Sequence, residues 1–245
     1  MYALLKKKYG QNFLTDKNIV KKITQLIPNQ NLDIIEIGPG DGKLTDEILT
    51  QNPLHLTLIE IDKDLIEALN LKYNKFEQIK IINEDILKYK INKKYDLAIS
   101  NLPYNISSQI LVKLTILNKA PKKMIFMFQK EFAQRLLDVK LNSLNSLVRC
   151  FYEIDLNFHV SRNCFRPIPK IDSSVVSFSR KNDPLINKDE IENFINLKRR
   201  LFSHKRKSLK NLLKNYKIDN KFDLSMRVED LDLINLIKIF RTINV

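Results

Sequence analysis

The chain has only two cysteines, Cys150 and Cys164, with no CxxC spacing and no histidine pair beside them. That pattern supports neither a zinc site nor a disulfide framework and leaves two packing thiols. No stretch approaches the roughly 18 uncharged apolar residues of a membrane span. The opening MYALLKKKYG lacks the apolar core and cleavage site of a secretory signal, so a cytoplasmic location is expected. Internal repeats are absent. Acidic residues are in deficit, 28 Asp and Glu against 42 Lys and Arg, and the formal charge is +14. Such a surplus is the electrostatic footprint of a protein that meets phosphates, although charge alone would also fit a membrane surface.

The first half of the chain alternates apolar runs with helical patterns. LDIIEI (32–37), LHLTLI (54–59), IKII (79–82), YDLAIS (95–100) and KMIFMF (123–128) are near-continuously apolar, as strands buried on both faces are. Segments between them, such as KLTDEILTQ and DLIEALNLKY, carry helical spacing. The pattern predicts an α/β fold with a doubly wound parallel sheet. FYEIDLNFHV and SSVVSFSR alternate and are expected to finish the sheet as an antiparallel, hairpin-like pair. Around residue 181 the polar, proline-bearing KNDPLINKDE reads as a linker, which divides the chain into a domain at 1–181 and a small helical domain at 182–245. In LKRRLFSHKRKSLKNLLK the leucines share one helical arc, while Arg199, Arg206, Lys207, Lys210 and Lys214 fall on the other. Lys198 and Lys205 intrude on the apolar side. In a chain this basic, that stretch is read as a helix that contacts nucleic acid.

Ligands of doubly wound sheets bind beyond the carboxyl ends of the strands. The first such end is IIEIGPGDG, where Gly38 and Gly40 allow a tight turn and close approach to a ligand. The dinucleotide fingerprint GxGxxG would need glycine at Lys43, so a nicotinamide or flavin enzyme is disfavoured. ExGxGxG matches instead the turn of methyltransferases that use S-adenosylmethionine. Glu60, in LIEID, is placed to accept hydrogen bonds from both hydroxyls of a ribose, because a carboxylate is acceptor-only. Asp85, in NEDIL, can accept from an adenine amine while Ile86 offers an amide and an apolar wall. Asp62 and Asp85 could equally be helix N-caps.

The fourth strand ends in NLPY. An adenine amine is conjugated and barely basic, so it needs acceptors that hold its hydrogens and aim its lone pair more than it needs a strong base. The Asn101 side-chain oxygen and the Leu102 carbonyl supply two such acceptors. Pro103 stiffens the turn, and Tyr104 offers a face for an unstacked base. Neither a nucleophilic triad nor a metal cluster is seen, and no metal is expected.

KKKYGQNFLTD, EIGPGDGKLT, EID, EDIL, NLPYNISS, FQKEFAQRL, FRPIPKIDSSVVSF, LFSHKRKSLKNLL and MRVEDL together resemble the ribosomal RNA adenine N6,N6-dimethyltransferase family over nearly the whole chain. The likeness is to the branch that dimethylates two adjacent adenosines in a hairpin near the 3′ end of small-subunit rRNA. It implies a Rossmann-like class I methyltransferase sheet with a small all-helical C-terminal domain, acting on the small ribosomal subunit and its 16S rRNA. It also implies that Asn12, Leu14, Gly38, Glu60, Asp85 and Asn101 bind S-adenosylmethionine, that Asn101 to Tyr104 form the catalytic loop, and that Phe165 walls the target base opposite Tyr104. VKLNSLNSLV departs from the family, which carries a glycine-bearing loop there. The alternatives are an adenine methyltransferase of large-subunit rRNA and a non-catalytic assembly factor that keeps the fold to bind RNA. A monomer with no membrane partner is expected.

Overall fold

The computed structural model describes residues 12–28, 31–204, 206–216 and 222–243. The first residues of KKKYGQNFLTD, through Gln11, and Lys205 lie outside the described residues. In chain order the elements are β1 (Phe13–Leu14), α1 (Lys17–Thr24), β2 (Asp33–Ile37), α2 (Lys43–Leu49), β3 (His55–Glu60), α3 (Lys63–Tyr73), β4 (Ile79–Asn83), β5 (Leu97–Asn101) and α4 (Ser107–Thr115). There follow β6 (Lys123–Gln129), α5 (Lys130–Leu137), α6 (Asn145–Phe151), β7 (Tyr152–Val160), β8 (Phe165–Arg166), β9 (Ser173–Arg180), α7 (Ile191–Phe202), α8 (Leu209–Leu212) and α9 (Leu233–Thr242).

Seven strands form one sheet in the order β4-β3-β2-β5-β6-β9-β7. β2 pairs in parallel with both β3 and β5, β3 with β4, and β5 with β6. The strand order reverses between β2 and β5, so their carboxyl ends frame the crevice where such sheets hold ligands. The apolar runs become strands because both faces are covered: β5 and β6 are buried almost throughout. β4, at the sheet edge, instead exposes Lys80 and Asn83. A buried core that includes Ile34, Leu56, Leu58, Leu97, Ile99, Ile125 and Met127 packs on this sheet. SSVVSFSR and FYEIDLNFHV do finish it, but β9 inserts between β6 and β7 and runs antiparallel to β6. They are joined by the segment 161–172, which contains β8, and not by a tight hairpin. β8 pairs antiparallel with β1 in a separate two-stranded ribbon.

The chain divides into two compact units, Met1–Ala133 with Ile154–Arg180, and Gln134–Glu153 with Lys181–Val245. The second unit therefore takes in a segment that the sequence assigns to the first. The reason lies in cross-chain polar contacts within that unit. The Leu185 and Lys181 amides donate to Cys150 and Phe151 carbonyls at 2.9 and 2.8 Å, and Lys181 pairs with Glu153 at 3.0 Å. Lys198, 7% exposed, donates from Nζ to the Ser143 carbonyl at 2.7 Å and to Ser143 Oγ at 3.1 Å. Burial pulls its ammonium pKa down to about 8. The glycine-free loop before α6 is built by asparagines. Asn142 Oδ1 accepts from the Leu144 and Asn145 amides, and Asn145 Nδ2 donates to carbonyls of Arg135, Asp138 and Lys140. Burial pushes the Cys150 thiol up to about 12, which suits the inert packing role.

The basic stretch is not one helix. α7 stops at Phe202, Ser203–His204 and Arg206–Ser208 are not helical, and α8 begins at Leu209. Ser203, His204, Arg206, Lys207 and Ser208 offer no apolar side chain to bury, so packing gives them no reason to stay helical. Beyond it, backbone bonds from Leu209 and Lys210 to the carbonyls of Met226 and Leu224 set a new direction.

Candidate active site

The crevice opens over the turn from β2 into α2. Gly38, Gly40 and Gly42 hold φ of 64°, 62° and 79°, in the left-handed region that strains any other residue. At Gly40 a Cβ would also stand 2.7 Å from the Phe13 ring, so β1 presses directly on the turn. Behind it, Thr45 Oγ1 donates to Glu36 Oε2 at 2.6 Å. Tyr73 Oη lies 2.8 Å from both the Gly42 carbonyl and Asp46 Oδ1, and Lys72 Nζ donates to Asp46 Oδ2 at 2.6 Å. Burial pushes the Glu36 carboxyl up to about 8, so it is protonated at neutral pH.

Most of the residues read from the sequence meet here. Asn12, Leu14, Gly38, Gly40, Glu60, Asp85, Ile86, Asn101, Leu102 and Pro103 all line one cleft. Glu60 ends β3 with its carboxylate buried, and that burial raises its pKa. Oε1 accepts from the Ile61 and Asp62 amides at 2.8 and 2.9 Å, and Oε2 from Gly40 at 3.3 Å. With about four lone-pair sites on a carboxylate, Oε2 keeps one for a ligand hydroxyl. Asp85 Oδ1 accepts from the Leu87 amide at 2.9 Å in a turn, and Ile86 is buried beside it. Asp62 is a helix cap, accepting from Asp64 at the start of α3.

Asn101 closes β5. Its Nδ2 donates to the Asn12 carbonyl at 2.8 Å, which leaves Oδ1 as the unshared acceptor of that amide. Leu102 is buried, and Pro103 Cδ would be the nearest atom, at 4.0 Å, to a Cβ on Gly38. Tyr104 stands outside the cofactor cleft, half-buried, with its Oη 2.6 Å from Ser173 Oγ.

Phe165, which the resemblance makes a wall for the target base, lies in the interior. It is fully buried in β8 within the core that also holds Leu14, Val160 and Val175. Arg199, Arg206, Lys207 and Lys210 are all exposed in the second unit, on α7, the following turn and α8. Sequence reasoning missed Phe13, Thr45, Tyr73 and Ser173. Phe13, Thr45 and Ser173 lie in motifs that resemble the family, but only the fold says what their side chains touch.

The donor set fits an adenosyl group. Carboxylate oxygens of Glu60 and Asp85 suit hydroxyls and an exocyclic amine, Ile86 and Leu102 suit a purine face, and the glycine turn admits an amino-acid tail.

A family model described as ribosomal RNA adenine dimethylase matches residues 3–245. The chain is 42% identical over 221 residues to a ribosomal RNA small subunit methyltransferase A of Malacoplasma penetrans, covering 86% of this chain and 78% of that one. It is 37% identical to the protein of that name from a Hydrogenobaculum species, covering 98% of this chain and 93% of that one. Among solved structures, a dimethyladenosine transferase from Plasmodium falciparum superposes with a TM-score of 0.79 at 27% identity, over 93% of this chain and 95% of that one. The 23S rRNA methyltransferase ErmE shares the fold, with a TM-score of 0.75 at 21% identity over 95% of this chain and 100% of that one.

Proposed function

The chain belongs to the ribosomal RNA adenine dimethylase family, and on that premise we propose that it dimethylates N6 of two adjacent adenosines in the 3′-terminal hairpin of small-subunit rRNA. The observation that carries this reading is the meeting of Glu60, Asp85 and the glycine turn with Asn101–Pro103 in one cleft. S-adenosylmethionine, when bound, supplies a methyl group on a positively charged sulfur.

The chain's residues do the rest. Glu60 Oε2 takes a ribose hydroxyl, Asp85 takes the amine of the cofactor's adenine, and Ile86 and Leu102 wall that ring. Asn101 Oδ1 and the Leu102 carbonyl accept the two hydrogens of the target N6, which turns its lone pair toward the methyl carbon. N6 would bond to the methyl carbon as that carbon's bond to sulfur breaks and its electron pair returns to sulfur; N6 would then be acidic, and its proton would leave through these acceptors to solvent without a strong base. Tyr104 stacks the extruded base. Pro103, with no amide hydrogen, fixes the angle of the turn.

Arg199, Arg206, Lys207 and Lys210 are proposed to track the RNA backbone, in keeping with the charge of +14. With ribosomal RNA as its substrate, the protein works in the cytoplasm as a monomer on the small subunit. The test is to incubate it with labelled S-adenosylmethionine and unmodified small subunits, large subunits or DNA. Label is expected on small subunits, and label confined to large subunits would overturn the assignment.

A further inference from the structure

We propose that Ser173 is a positioning residue for methyl transfer, its hydroxyl fixing the Tyr104 ring that holds the target base. The proposal rests on the role given to Tyr104 above.

Ser173 opens β9 and is fully buried, with its backbone paired to Gln129 at the end of β6. The Lys130 amide donates to the Asp172 carbonyl at 2.9 Å, so this end of the β6–β9 ladder is locked on both sides of Ser173. Successive strand side chains point to opposite faces. Ser174 accordingly turns away, where its Oγ meets His159 Nδ1 at 2.9 Å. Ser173 turns toward the catalytic loop, where its Oγ meets Tyr104 Oη at 2.6 Å across 69 residues of sequence.

That bond constrains a part of the loop that the backbone contacts do not reach. Asn101 is held because it ends β5, and the backbone after Tyr104 is held by the Ile106 amide on the Pro103 carbonyl and by Ser107 Oγ on the Tyr104 carbonyl. The Tyr104 side chain could still swing about its Cα–Cβ bond. Anchoring Oη to a strand removes that swing and fixes the line along which the ring lies. The loop is thereby referenced to β5 at its start and to β9 at its ring, the two strands that flank β6. A base stacked on that ring then has its amine set against Asn101 and Leu102 by the rigid sheet. A buried hydroxyl costs free energy unless it has a partner. A strand that needed only a small residue at this place would be served by alanine.

The test compares Ser173→Ala, Tyr104→Phe and the double variant. Each single variant is expected to lower kcat on small subunits about tenfold, the upper scale of one net hydrogen bond. The double variant should be no slower than either single one, and calorimetric affinity for S-adenosylmethionine should not change. In free protein labelled with ¹³C-tyrosine, Ser173→Ala should shift and broaden the Tyr104 ring resonance, which Tyr104→Ala identifies by its loss. Reductions that multiply in the double variant, or an unchanged kcat, would overturn the positioning role. An unmoved resonance would overturn the hydrogen bond itself, whatever the substrate. Wild-type protein that fails to methylate small subunits while the resonance still responds would instead sink the functional reading and the role in transfer that rests on it.

Discussion

The Asn101 side chain donates from Nδ2 to the backbone carbonyl of Asn12 at 2.8 Å, joining the end of β5 to the strand that covers the glycine turn. This bond decides which end of the amide is left for the substrate. With the nitrogen committed, the oxygen is the end of the amide that the proposed function gives to a target amine.

Asn101→Ala removes both functions. Methyl transfer is expected to fall on the order of a hundredfold in kcat, the scale of losing one group aimed at a transition state. Single-turnover kinetics with saturating S-adenosylmethionine would measure it. A kcat within a factor of about two of wild type would show that Oδ1 is not an acceptor in the reaction.

Tyr104→Ala removes the stacking platform, worth about 1–3 kcal/mol per base. Because Tyr104 stands outside the cofactor cleft, transfer should drop while calorimetric affinity for S-adenosylmethionine holds. Loss of cofactor binding would contradict the placement.

Glu60→Ala takes away the ribose acceptor and three amide hydrogen bonds with it. Affinity for S-adenosylmethionine is expected to weaken by at least about tenfold, on the scale of a hydrogen bond to a charged group. RNA affinity, measured by filter binding, should change little. The reverse order would remove Glu60 from the cofactor site.

Glu36 gives a pH dependence. Its folded pKa is raised to about 8 from an ordinary 4.5, and the cause is burial, opposed by the Thr45 hydroxyl. Between those values the folded protein holds a proton that the unfolded chain has lost. Stability from this group is therefore fully present below about pH 4.5 and falls as pH rises toward 8. Glu36→Gln should flatten that part of the profile in urea melts taken from about pH 5 to 8. An unaltered slope would show that the carboxyl is ionised in the fold.

Neutralising Arg199, Arg206 and Lys210 together should lower the salt dependence of RNA binding by about one log-log unit for each phosphate that is no longer neutralised. An unchanged slope would leave these exposed cations as a solvated surface.

Much of this was legible in the sequence because it depends on local order. A strand buried on both faces must be continuously apolar, so β2, β3, β5 and β6 announce themselves, and the crevice lies where they end. What could not be read depends on register between distant segments. Ser173 and Ser174 are neighbours in sequence, yet one meets Tyr104 and the other His159. That Phe165 lies in the core follows from the pairing of β8 with β1, which no local pattern announces. The helical wheel at 197–214 measured periodicity correctly and missed the end of α7 at Phe202, because a wheel assumes continuity. The placement of Gln134–Glu153 with the C-terminal unit rests on bonds such as Lys198 to Ser143, which span 55 residues.

The most direct test of the central claim is the nucleoside made. Unmodified small subunits would be incubated with the protein and S-adenosylmethionine, and the 3′-terminal rRNA fragment digested and resolved by mass spectrometry. The expected product is N6,N6-dimethyladenosine at two adjacent positions. Methylation of any other base, or adenosine left at its original mass, would contradict the site described.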